Sequence, residues 1–385
     1  MTKRTIIYLD HAASSWPKPP EVVQAVARTL SETGANPGRS GHHLSLEAAR
    51  VIFEARSALA SFFHVEDPLR IVLTRNATEA LNIVICGLLK PGDHVITSGM
   101  EHNSVMRPLR VMEGRGIRVN VAGCAKSGRL DPGDVISLLR PETRAVILTH
   151  ASNVTGTVQP VAEVGSIAQD MGIIFCVDAA QTAGALPIDI PDMHIDLLSF
   201  TGHKSLYGPQ GTGGLYIGPG LEEMIDPIVT GGTGSASELE IQPDFLPDKY
   251  ESGTPNTPGI SGLLAGVRFI QTQGLDTIRT KERGLTGLLR EGLASIPRVQ
   301  VYGDPERTIP VVSFSIEGMS PSDITQILDE EYGIMARPGL HCAPSAHRTI
   351  GTFPQGTVRF SLGWFNTEEE VAKALEAVSN IASLK

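Results

Sequence analysis

The stretch Asp196-Leu197-Leu198-Ser199-Phe200-Thr201-Gly202-His203-Lys204-Ser205-Leu206-Tyr207-Gly208-Pro209-Gln210-Gly211 decides the fold. Its apolar run ends in small residues and reads as a buried strand, and the glycines and proline that follow keep the chain from continuing as a helix. One His and one Lys are thereby presented at a strand end. A lysine held there by partial burial is a candidate nucleophile, because loss of water disfavours the ammonium and leaves an amine able to condense with a carbonyl. Read alone, Lys204 is an ordinary surface lysine after a strand, since lysine is seldom buried; the rest of the chain lifts it above that reading.

On both sides of this stretch, short apolar runs alternate with helical patterns. The runs are 70–73, 94–97, 117–121, 145–148, 173–177, 196–200 and 214–217. Strands spaced by helices of this length imply crossover connections and a mainly parallel seven-stranded sheet covered on both faces, with a site at the carboxyl ends of its strands. Helical spacing precedes them at 20–33 and 45–63, separated by the turn-rich Asn36-Pro37-Gly38-Arg39-Ser40-Gly41-His42-His43. After a Gly/Pro-dense passage (229–259), helix patterns at 260–274 and 276–295 lead to a smaller α/β unit. Its strands are expected at 310–316 and 357–362, and Thr367 is expected to cap a last helix.

With 385 residues the chain is long enough for two domains. A formal charge of −10 argues against nucleic acid as the partner, because phosphate-backbone binding needs a basic footprint. The four cysteines, Cys86, Cys124, Cys176 and Cys342, lack metal-ligand spacing and form no disulfide framework. No metal site is expected. The first apolar run, Ile6-Ile7-Tyr8-Leu9, is cut short by Asp10 and His11, and no later run is long enough to span a bilayer, so the expectation is a cytoplasmic protein.

Three further segments follow strands. In Thr74-Arg75-Asn76-Ala77-Thr78-Glu79, free N–H groups at a helix start, with the Thr78 hydroxyl, favour a phosphate; Asn76 or Thr78 equally serves as a plain helix cap. In Phe175-Cys176-Val177-Asp178-Ala179-Ala180-Gln181, a carboxylate at the end of an apolar strand asks for a cationic partner, or else caps a helix. In Gly99-Met100-Glu101-His102-Asn103-Ser104, His102 either stacks a flat ring or solvates a loop. An anion cradle, a flat-ring partner, a strand-end acid and a strand-end lysine together describe a phosphorylated heteroaromatic aldehyde, pyridoxal 5′-phosphate.

On these residues, and from Tyr8-Leu9-Asp10-His11-Ala12-Ala13 to Arg359-Phe360-Ser361-Leu362-Gly363-Trp364, the chain resembles the class V aminotransferase family of pyridoxal-phosphate fold type I. Within it, the chain is similar to the cysteine desulfurases and selenocysteine lyases whose cysteine lies in an Arg-x-Gly-x-His-Cys-Ala segment, here Arg337 to Ala343. The resemblance implies a large domain at 15–258 and a small one formed by 1–14 and 259–385. It implies that Lys204 holds the cofactor covalently and moves the substrate α-proton, that Asp178 keeps the pyridine nitrogen protonated, and that His102 stacks on the ring. It further places Gln181 at the phenolic oxygen, Asn153 beside the ring and the substrate, and Ala77, Thr78, Thr201 and His203 on the phosphate. Thr254 would reach the phosphate across the two-fold axis of a homodimer. The glycines after Lys204 would give the backbone a close approach to the cofactor.

Arg359 would pair with the substrate carboxylate; it stands mid-strand among apolar neighbours, where a surface ion pair is the other reading. Cys342 would attack the sulfur of L-cysteine, keep it as a persulfide, and pass it to an acceptor protein, iron–sulfur cluster assembly being one use. Gly, Pro, His and Arg around Cys342 suit an exposed thiolate, whereas Cys86 and Cys176 lie in apolar runs and read as packing residues. An extended backbone would turn His341 away from Cys342 and leave Arg337 or His347 as its neighbours. Pro338 and Leu340 depart from the commonest desulfurase pattern. The alternatives are a lyase for L-selenocysteine and a class V aminotransferase acting on small amino acids.

Overall fold

The computed structural model describes residues 6–384 apart from Arg39 and Ser237. Its main sheet has seven strands in the order Ile71–Thr74, Gly213–Ile217, Leu197–Thr201, Ile174–Asp178, Thr143–Thr149, His94–Ser98 and Arg118–Ala122. Gly213–Ile217 runs antiparallel to both its neighbours, and the other six strands are mutually parallel. Every expected apolar run overlaps one of these strands, with ends displaced by at most two residues.

Each central strand is apolar on both faces because each face packs a helical layer. Phe175, Val177, Leu198 and Phe200 meet Leu59 from helix His43–Phe62 and Leu263 and Val267 from helix Thr257–Gln273. The alternate residues Ile174, Cys176 and Leu197 meet Leu81 and Val84 from helix Ala77–Leu88 and Val105 and Leu109 from helix Asn103–Glu113. Cys176 is thus a packing residue.

A second, antiparallel sheet is ordered Arg337–Gly339, Thr357–Ser361, Val311–Ile316 and Val299–Tyr302. Helices Leu275–Ser295, Pro321–Tyr332 and Glu368–Ala382 cover it, and the N-terminal Ile7 and Leu9 join their core. Ile7–Tyr8 also pairs in parallel with Ile334–Met335. Thr367 caps the last helix as expected, accepting from the Glu370 N–H while Glu370 reaches back to the Thr367 N–H. The strands Val299–Tyr302, Ile334–Met335 and Arg337–Gly339 were not foreseen. They are two to four residues long, and the last carries Pro and Gly, which an edge strand tolerates. Helix Thr257–Gln273 packs on helices Pro20–Glu32 and His43–Phe62.

Candidate active site

Because six strands point the same way, their carboxyl ends open on one cavity of about 280 Å³. The strand Ile71–Thr74 delivers Ala77 and Thr78, His94–Ser98 delivers His102, and Thr143–Thr149 delivers Asn153. Ile174–Asp178 brings Asp178 and Gln181, and Leu197–Thr201 brings Thr201, His203 and Lys204. From the second sheet, Arg359 enters the same cavity. Thr254 does not line it; it lies exposed in a separate cleft with Asn36, Arg75 and Tyr250.

Lys204 is only partly exposed, and burial of its amine draws its pKa down to about 8, against an upward pull from Asp178. Its carbonyl accepts from the Ser15 hydroxyl (2.8 Å) and from the Tyr207 N–H (2.9 Å), which ties the loop to the N-terminal segment. The glycines around it allow close packing. A Cβ on Gly202 would strike the Thr212 hydroxyl, and one on Gly208 would crowd Leu263 and the Gly202 carbonyl. Both glycines let the loop seat closely on Thr212 and Leu263.

Asp178 is 3% exposed, and desolvation raises its pKa, opposed by the Ala180 N–H and by Lys204. One carboxylate oxygen accepts from Ala180 N–H (2.9 Å); no helix begins there, so the cap reading does not hold. His102 caps helix Asn103–Glu113, its Nδ1 accepting from the Ser104 N–H (3.1 Å). Its ring is neutral, with a pKa pushed down to about 4 by burial and then by Lys204 and Arg337. Asn76, not Thr78, caps its helix, accepting from Glu79 N–H (2.9 Å). That leaves the Thr78 hydroxyl and the first-turn amides facing the cavity, at the positive end of the helix dipole. His203 Nδ1 is buried with no protein partner.

Arg359 is fully buried and forms an ion pair with Asp10 (2.6 Å), while its Nη1 donates to the Asn153 carbonyl (3.1 Å). The surface-pair reading is thereby excluded. Its Nε has no partner among the described residues. Asp10 is a residue that sequence reasoning did not assign to the site, although a buried arginine calls for an acid.

The cysteine loop differs from the expectation. His341 and Cys342 both have left-handed backbones, with φ of 49° and 58°, rather than extended ones. Each such residue costs about 1 kcal/mol or more, so the turn must be held from outside. Asn153 Nδ2 donates to the His341 carbonyl (2.7 Å), and Asn103 N–H donates to the Cys342 carbonyl (2.8 Å). The turn buries His341 against the cavity and leaves Cys342 exposed, with Arg337 Nη2 3.6 Å from its Sγ. Arg337 is therefore a neighbour of the thiol, as expected, whereas His347 contacts His341 instead.

Residues 7–374 match the family described as aminotransferase class-V. A probable cysteine desulfurase from Methanothermobacter thermautotrophicus is 38% identical over 99% of this chain and 96% of its own length. A second, from Pyrococcus abyssi, is 34% identical over 98% and 94%. Among solved structures, the apo cysteine desulfurase from Thermococcus onnurineus NA1 superposes with a TM-score of 0.92 at 35% identity, covering 98% of this chain and 94% of that one. The cysteine desulfurase CsdA (S-sulfonic acid) from Escherichia coli gives 0.87 at 31%, covering 97% and 94%. With a matched fold, near-complete coverage and a strand-end lysine in a common cavity, the chain belongs to the class V aminotransferase family.

Proposed function

We propose that this protein is a pyridoxal-phosphate-dependent cysteine desulfurase that converts L-cysteine to L-alanine and keeps the sulfur as a persulfide on Cys342. The observation that carries the reading is the meeting of Lys204, Asp178 and His102 in one cavity, whose wall includes His341, the residue before the exposed Cys342. The cavity suits the cofactor. The unpartnered His203 Nδ1, Thr78 and the first-turn amides fit a phosphate, and Asp178 fits a protonated ring nitrogen. The unpartnered Nε of Arg359 fits a carboxylate. When bound, the cofactor supplies an electron sink for the substrate carbanion.

The chain's own groups then divide the work. Lys204, with its pKa near 8, is a free amine often enough to take and return a proton at the substrate α-carbon. With the cofactor bound, Asp178 would keep the ring nitrogen protonated, His102 would stack on the ring and Gln181 would reach its phenolic oxygen. Thr201 joins the phosphate contacts, and Asn153 fixes both Arg359 and the His341 carbonyl. In the sulfur step the Cβ–S bond of the substrate breaks and an S–S bond to Cys342 forms. The substrate sulfur leaves with its hydrogen as the persulfide, and Cβ gains the proton that Cys342 gave up. Arg337 Nη2 lies 3.6 Å from the Sγ that attacks.

Thr254 is assigned to the phosphate of a second copy in a homodimer, consistent with its exposed position away from its own cavity. The large domain is taken as 15–258 and the small one as 1–14 with 259–385, the helix Thr257–Gln273 straddling that division by its contacts. Among the described residues no helix is long and apolar enough to cross a membrane, and the protein is assigned to the cytoplasm, where an acceptor protein takes the persulfide.

The test is the spectrum of the cofactor-loaded protein before and after L-cysteine, with alkylation of any persulfide and mapping of the labelled residue. The label is expected on Cys342, and Cys342→Ser is expected to lower alanine formation more than about 100-fold, the scale of losing a reacting group. Unchanged alanine formation in that variant would sink the reading and favour an aminotransferase. Undiminished turnover of L-selenocysteine alone would favour the lyase.

A further inference from the structure

Behind the cysteine turn lies a run of buried side chains that the reaction as described does not use. His347, on helix Pro344–Ile350, is fully buried, and its Nδ1 lies 2.7 Å from the Thr352 hydroxyl. Its Nε2 lies 3.3 Å from His341 Nδ1, and His341 Nε2 lies 3.0 Å from the Arg337 carbonyl. A carbonyl can only accept, so His341 Nε2 carries a proton. Burial keeps both rings neutral, so His341 Nδ1 has no proton and accepts from His347 Nε2–H. His347 Nδ1 must in turn accept from the Thr352 hydroxyl. All three bonds therefore run one way, from Thr352 to the backbone of Arg337. Arginines 337 and 359 face His341, and their charges oppose a proton on it.

The far end of this chain is the residue whose guanidinium approaches Cys342 Sγ, and its middle is the left-handed residue before Cys342. Two adjacent left-handed side-chain-bearing residues persist only where the surroundings over-determine them. We propose that His347, acting through His341, is a positioning residue for Cys342: the one-way hydrogen-bond chain holds the turn and sets the thiol beside Arg337. This inference rests on the desulfurase reading for its kinetic consequence but not for its structural one.

Two variants of the cofactor-loaded protein separate the hydrogen bond from simple packing. His347→Gln puts an N–H donor at the reach of Nε2, and His347→Leu fills similar space without one. Leu is expected to slow persulfide formation on Cys342 by roughly 30-fold, within the range that a misplacement of about 1 Å produces. Gln is expected to stay within about threefold of wild type by the same geometric criterion. The absorbance change on adding L-cysteine should be the same in all three proteins, because Lys204 is untouched.

Independently of turnover, alkylation of Cys342 by iodoacetamide at one fixed pH should be slower in Leu than in wild type or Gln, as the thiol loses its place beside Arg337. Equal alkylation profiles and equal transfer rates in Leu and wild type would overturn the proposal. So would a Gln variant as impaired as Leu, or loss of the absorbance change together with transfer. If Leu does not fold, Thr352→Val decides by the same two readouts: several-fold slower transfer together with slower alkylation supports the relay, and wild-type behaviour overturns it. A wild type that forms no persulfide would remove the desulfurase reading while leaving the alkylation comparison to judge the turn.

Discussion

The loops that carry Lys204 and Cys342 face one cavity but are held there by different means. Lys204 follows a central strand whose neighbours on both sides are in register, Asp178 opposite Ser199 and Thr201 opposite Gly213. Its place is set by a ladder of backbone bonds and by the close seating of Gly202 and Gly208 on their surroundings. Cys342 follows a three-residue edge strand and sits in a turn of two left-handed residues. Its place is set by Asn103, Asn153, Arg337 and the buried histidines, the two asparagines lying about 190 and 240 residues away in the chain. A rigid sheet suits a group that anchors and shuttles a proton at one atom. A turn held by side chains suits a thiol that must first meet the substrate sulfur and then offer it outside.

The contrast breaks most visibly at Lys204. Lys204→Ala should leave the fold intact and reduce alanine formation by roughly 10³-fold or more, toward the top of what a positioned acid–base group contributes. A turnover assay with circular dichroism as control checks it; activity near wild type would show that the strand end is not where the chemistry lies. Arg359 links the two regions, through Asp10 on one side and the Asn153 carbonyl on the other. Arg359→Gln should raise KM for L-cysteine and lower stability by about 3 kcal/mol, the lower end for breaking a buried pair because Asp10 is partly exposed. Urea unfolding and initial rates measure the two effects separately.

A smaller change should fall on the thiol side alone. Gly356 has φ +79°, and a Cβ there would strike the Gly339 carbonyl in the strand that leads to Cys342. Gly356→Ala is expected to cost about 2 kcal/mol and to slow persulfide formation while leaving the L-cysteine absorbance change as it is. Loss of both together would erase the distinction between the regions.

An effect on stability alone, with none on sulfur transfer, concerns the loop after Lys204, where the Tyr207 hydroxyl lies 3.3 Å from Glu282 Oε1. Burial raises the Glu282 pKa to about 8, so the folded protein holds a proton that the unfolded chain releases above about 4.5. Stability from this group is therefore greatest at low pH and declines between about 4.5 and 8. Glu282→Gln should remove that decline, up to about 1.4 kcal/mol per pH unit. Denaturant midpoints of wild type and variant at pH 6 and pH 8 test it, and parallel changes in both would count against the assignment.

How much was legible beforehand follows the same division. The seven strands and the parallel order could be read because a strand buried on both faces is almost continuously apolar, and such runs stand out between amphipathic helices. Lys204, Asp178, Asn153 and His102 could be placed because each directly follows such a run, and parallel strands all end at one edge. Asp10 and the Thr352–His347–His341 chain were not legible, since their partners lie elsewhere in the chain or on the far side of a turn. The edge strand Arg337–Gly339 has too few apolar residues to announce itself.

The sequence by itself determined the doubly covered parallel sheet and the residue types at its carboxyl edge, because hydrophobic periodicity and strand ends are local properties. Only the tertiary structure decided that Arg359 is buried against Asp10, that Gly202 and Gly208 make room for packing, and that Cys342 stands in a left-handed turn beside Arg337. Those outcomes depend on which distant groups satisfy a buried charge or carbonyl, and local pattern carries no record of that choice.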